Sequence, residues 1–122
     1  MDIIKIQAVI KSRNAIDKMH WSRRAKLRDD YQLLIQNQMS LNNITKTSAG
    51  EEYRIIIIAH RKRRIRDYDN LVGGCKQLLD ALSRAGFIWD DDEKYIDKPS
   101  YIQEKAKDEE YTTIIRRKAN AP

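Results

Sequence analysis

Apolar and polar positions along this chain follow two rhythms, and the switches between them mark the elements. Ile3–Ile10 is rich in β-branched residues and predicts a strand, followed by a polar connection from Lys11 to Asn14. From about Trp21 the positions Leu27, Tyr31, Leu34, Ile35 and Met39 recur three and four residues apart. That is the spacing of one helical face, so a first helix is expected to about Met39. Leu41–Gly50 reads as a loop. Tyr53–His60 carries four consecutive isoleucines, which suits a strand covered on both faces and central in its sheet. Asp69 can cap a second helix that continues to Ala85 and stops at Gly86, a residue free to adopt a left-handed conformation. Asp90–Glu93 makes a tight acidic turn. Two strands should follow, about Lys94–Glu104 and Glu110–Arg117, joined by the polar Lys105–Glu109 turn, with Pro99 marking an edge or a bulge. The order β-α-β-α-β-β predicts an α+β fold, a single small domain over 1–122 with a mixed sheet flanked by two helices.

Charge adds a partner to this picture. There are 24 Lys and Arg against 18 Asp and Glu, a net charge of +6. The basic residues cluster at Lys18–Arg28, Arg61–Arg66 and Arg116–Lys118, as expected for a polyanionic partner. Cys75 is the only cysteine, which excludes an intrachain disulfide and a Cys-rich zinc site and agrees with a reducing cytoplasm. Lys5 and Gln7 interrupt the apolar N-terminus, unlike a signal peptide, and the longest apolar run, Ile55–Ala59, is far too short to cross a bilayer. A cytoplasmic protein with no membrane partner is the expectation.

The candidate chemistry is concentrated between Arg61 and Leu71, where Asp67 and Asp69 directly follow five basic side chains, Arg61, Lys62, Arg63, Arg64 and Arg66. A loop that only bound phosphate would gain nothing from carboxylates, whereas one that holds a divalent cation against a phosphodiester needs both charges. If Asp67–Asp69 is extended, the two carboxylates point to one side, a metal-ligand geometry; the plainer reading is a solvated turn plus a helix cap. On the second helix, Leu71, Cys75, Leu78, Leu79, Leu82 and Ala85 fall on one side, and Asp69, Gly73, Lys76 and Asp80 on the other. Lys76 leans back toward the carboxylates, and Asp80 could pair with it at i, i+4. Gly73-Gly74 is unfavourable inside a helix, by roughly 0.8–1 kcal/mol for each glycine. Either an anion approaches the bare backbone there, or another helix packs closely, or the first turn is irregular. Neither His20 nor His60 has ligand spacing.

Taken in order, Arg66-Asp67-Tyr68-Asp69-Asn70-Leu71, Lys76, Asp80-Ala81-Leu82, Ala85-Gly86-Phe87 and Asp90-Asp91 resemble the RusA family of Holliday-junction resolvases, typically carried by phages and prophages. The resemblance is strongest over Arg61–Ile96; Arg13-Asn14 and His20-Trp21-Ser22-Arg23-Arg24 are similar to the family's polar loop and basic helix start. It implies a homodimeric, Mg²⁺-dependent endonuclease, with Mn²⁺ as a substitute, that nicks four-way or branched DNA symmetrically in recombination and repair. By motif position it implies Asp67, Asp69 and Asp91 as catalytic metal ligands, Asp90 as the alternate, and Lys76 as the catalytic lysine. Lys76 lies about one helical turn further from Asp69-Asn70-Leu71 than the family pattern, and Asp92 adds a third acid to the turn. Phosphate contacts are expected of Arg13, Arg23, Arg24, Arg61, Lys62, Arg63, Arg64 and Arg66. The alternative is a non-catalytic branched-DNA-binding module of phage origin. Carboxylates discriminate against it, because acids near phosphate weaken pure binding. An RNA-directed nuclease ranks lower, since Tyr53, Tyr68 and Tyr95 form no single-strand stacking motif.

Overall fold

In the computed structural model, which describes residues 1–119, the four-isoleucine run becomes the strand around which the rest is arranged. The elements in chain order are β1 (Asp2–Ile6), α1 (Arg13–Asp17), α2 (Trp21–Leu41), β2 (Tyr53–Arg61), α3 (Tyr68–Gly74), α4 (Lys76–Ala85), β3 (Ile96–Lys105) and β4 (Tyr111–Lys118). They form one α+β domain whose mixed sheet has the order β1-β4-β2-β3. β4 runs antiparallel to both β1 and β2, while β3 runs parallel to β2. β2 is therefore central, as expected. β3 and β4 are not a hairpin, because β2 lies between them. The register of β3 slips between the partners of Arg54 and Ile56, beside Pro99, which gives this edge strand its bulge.

Among the described residues, only one face of the sheet is covered, contrary to the expectation from the isoleucine run. Tyr53, Ile55, Ile57 and Ala59 of β2 are buried with Ile4, Ile6 and Ile114, against Tyr31 and Ile35 of α2 and Leu78 and Leu82 of α4. Ile56 and Ile58 alternate to the opposite face, where Ile115, Ile3 and Ile102 lie across the neighbouring strands. Ile3 and Ile102 are 47% and 43% exposed. Continuous hydrophobicity in this strand thus records one core face and one apolar outer face.

The helical boundaries differ from the expectation in three places. A five-residue helix, α1, forms in what reads as a polar connection, with the Ser12 hydroxyl accepting from the Ala15 amide at 3.2 Å. It is too short to show a periodicity. The cap of α3 is Asp67, whose carboxylate accepts from the Asp69 amide at 2.9 Å, so Asp69 stands in the first turn. Finally, the helix expected from Asp69 to Ala85 breaks at Cys75 (φ −91°, ψ 1°), with Gly73-Gly74 just before the break. A side chain at Gly74 would collide with the Lys11 carbonyl, and one at Gly73 with the stem of Arg13. Close packing of the segment entering α1 therefore accounts for both glycines. Gly86 ends α4 with φ 82°, the left-handed geometry expected of it.

The third basic cluster is not a binding surface throughout. Arg116 is 3% exposed and holds three distant segments together, donating to Asp2 (2.9 Å), the Phe87 carbonyl (2.7 Å) and the Thr45 carbonyl (2.6 Å). Its guanidinium also sits 4.5 Å from the Phe87 ring centroid. Among the described residues, no helix is long and apolar enough to cross a membrane.

Candidate functional site

The basic segment after β2 is an ordered loop. Ile65, buried at its middle, donates its amide to the Gln103 side-chain oxygen and accepts from the Gln103 side-chain nitrogen, both at 2.8 Å. The Lys62 amide is held by Glu110 at 3.0 Å. These anchors leave Lys62, Arg63, Arg64 and Arg66 exposed around a depression of about 560 Å³ that also includes Gln103, Glu104 and Lys105. Arg61 lines the same depression but is partly withdrawn, donating to the Ile10 carbonyl at 2.5 Å.

Where the loop enters α3, Asp67 and Asp69 are both exposed. One oxygen of Asp67 is occupied by the cap, leaving its second oxygen and both of Asp69 open to a ligand. Tyr68 between them meets the Tyr101 ring edge-on at 6.5 Å. Asp91 lies in the segment between α4 and β3, and the carboxylates that crowd it are Asp80 and Asp90. Although the residue as a whole is open to solvent, its carboxyl group is hemmed in. Partial burial, reinforced by hydrogen bonding to Asp90 and Asp80 and by their charges, pushes it up to about 6. Among the described residues, no three His, Cys, Asp or Glu side chains are grouped so as to hold one metal ion. Asp67, Asp69 and Asp91 are thus not assembled into a single three-ligand cluster. The donor chemistry nonetheless fits Mg²⁺, which takes one or two carboxylates and keeps several waters.

Among the described residues, Asp80 does not take the i, i+4 pairing with Lys76 that its spacing allows, although it lies in the same stripe of α4. Lys76, Gln77 and Asp80 instead form one wall of a groove of about 540 Å³. Arg13 and Asp17 of α1, and Trp21, Arg24 and Arg28 of α2, form the other. Four cations line it against two carboxylates, and Arg13 and Asp17 are an exposed pair at 3.6 Å. Arg23 is exposed outside the groove. Trp21 is a groove residue that charge clustering does not single out, and Arg28 falls within the Lys18–Arg28 cluster without being among the expected phosphate contacts.

The remaining candidates have other roles. Cys75 is fully buried, and burial pushes its thiol up to about 12, so it is an inert core residue. On the outer sheet face, His60 contacts the Thr113 hydroxyl at 2.9 Å and stacks on Tyr111 at 4.0 Å. No protein-family model and no curated protein matches this chain.

Proposed function

We propose that the protein is a Mg²⁺-dependent, structure-specific endodeoxyribonuclease that nicks four-way or branched DNA. The observation that carries the reading is the continuity of α4. Lys76 and Asp80 line the cationic groove, and Asp80 also crowds Asp91, so a phosphodiester lying in the groove runs up to mutually repelling carboxylates. Such crowding is relieved by a divalent cation. Asp91 and Asp80 form one pair that would hold such an ion, and Asp67 and Asp69 at the start of α3 a second. The ion supplies Lewis-acid polarisation of the phosphate and a more acidic water. Lys76 offsets charge that accumulates on the phosphate oxygens in the transition state. Lys62, Arg63, Arg64 and Arg66 hold the backbone of a duplex arm without reading its bases. Paired nicks need two such sites, and the chain supplies one, so the active form on this reading is a two-fold homodimer.

Incubation with a synthetic four-way junction and a matched linear duplex, with and without Mg²⁺, tests the proposal. Nicking of the junction should require Mg²⁺ and should be lost in Asp69→Asn and in Asp91→Asn, while junction binding persists. Tight binding by the wild-type protein with no nicking in Mg²⁺ or Mn²⁺ would replace this reading with that of a branched-DNA-binding module.

A further inference from the structure

The two basic surfaces differ in one respect that charge does not capture. Among the described residues, the depression at Arg61–Arg66 has no aromatic side chain in its wall, whereas the groove between α1–α2 and α3–α4 has Trp21. This indole is 68% exposed, and its ring neighbour His20 lies tilted at 5.4 Å, leaving a π-face available. Paired DNA presents phosphates and sugars to a protein and keeps its base faces stacked inside, so it offers an indole little. An unpaired nucleotide offers both a base face and a phosphate. The groove carries a partner for each.

Resting on the branched-DNA reading above, we propose that this groove holds an unpaired DNA nucleotide at the branch, its base on Trp21 and its phosphate among Arg24, Lys76, Arg13 and Arg28. Arg24 and Lys76 make no ion pair among the described residues. Arg13 is kept in the wall by Gly73, since any side chain there would push the arginine stem aside. The volume of about 540 Å³ lies within the roughly 300–1,000 Å³ usual for sites that enclose a small organic group. Duplex arms then lie on the Arg61–Arg66 loop and the unpaired nucleotide in the groove, which divides the two surfaces by the form of DNA each takes.

The test is equilibrium binding by the full chain in chelator, where no strand is cut, to a blunt duplex and to the same duplex with a short single-stranded gap. Trp21→Ala should weaken binding to the gapped DNA by roughly five- to a hundredfold, the range of one lost base-stacking contact. Binding to the blunt duplex should be unchanged, and Trp21→Phe should restore most of the affinity. In a Trp89→Phe background Trp21 is the sole indole of two, and gapped but not blunt DNA should quench its emission; this readout leaves Trp21 intact. Equal losses on both DNAs, no loss on the gapped DNA, or no quenching would overturn the assignment. Failure of the nuclease reading would look different, with no Mg²⁺-dependent nicking but the gapped-against-blunt difference intact.

Discussion

At the scale of single residues, the acid turn and the glycine pair make opposite demands on the fold. Asp91 is raised to about 6 by partial burial and by Asp90 and Asp80, so between the ordinary carboxylate range and about 6 the folded chain keeps a proton that the unfolded chain has released. The associated stability is present at low pH and lost as pH rises through about 6. In metal-free buffer, Asp91→Asn should therefore narrow the drop in urea midpoint between about pH 5 and about pH 7. An unchanged drop would remove Asp91 from the crowded cluster. Gly74 is constrained by backbone and Gly73 by a side chain. Gly74→Ala should accordingly destabilise by about 1–3 kcal/mol, the usual range for overpacking, and Gly73→Ala by less, as read by urea unfolding. Arg13 can rotate away, but the Lys11 carbonyl cannot move without shifting α1. These partners were not legible in the sequence, since an oxygen from Lys11 beside Gly74 is a long-range contact that no local spacing encodes. Gly86 was legible, because a helix stop is a local event.

Among the elements, the long periodic helix and the β-branched strands were readable because each repeats its signal over many residues. α2 begins at Trp21 and runs close to the expected end, and β2 matches the isoleucine run. The break at Cys75 leaves no mark in the apolar pattern because the core stripe continues across it: Leu71, Cys75 and Leu78 are all buried. Start signals are also ambiguous where two acids stand one residue apart, and Asp67 rather than Asp69 makes the cap. Capping and metal binding by Asp67 can be separated. Asn caps a helix about as well as Asp, whereas Ala typically loses ~1 kcal/mol. Asp67→Asn should thus keep the thermal midpoint of the wild type while reducing Mg²⁺-dependent nicking; Asp67→Ala should lower both. If the Asn variant nicks at the wild-type rate, the role of Asp67 is confined to the cap.

For the whole molecule, the uncovered sheet face is the feature that sequence patterning concealed, since four isoleucines in a row look alike whether one face or two are packed. In rows across the strands it carries Ile3, Ile115 and Ile56, then Thr113, Ile58 and Ile102, with Arg54 and Asp97 at one end and His60 and Glu104 at the other. An apolar centre with both charge signs at its margins suits a second copy turned about a two-fold axis. Ile102→Asp combined with Ile3→Asp should convert the proposed dimer to a monomer in light scattering without unfolding the chain, because both side chains are already nearly half exposed and neither belongs to the buried core. A dimer that survives both changes would place the interface elsewhere. The strand order has a further consequence for biosynthesis. β4, which follows the other three described strands in sequence, is the one that joins β1 to β2 and supplies Arg116 to clamp Asp2, Thr45 and Phe87. A ribosome that stalls before Tyr111 releases a chain whose first strand has no neighbour and whose isoleucine strand presents an open edge, a template for aggregation. Folding of this sheet consequently waits on the synthesis of β4, and its rate is limited by bringing together strands that lie far apart in sequence.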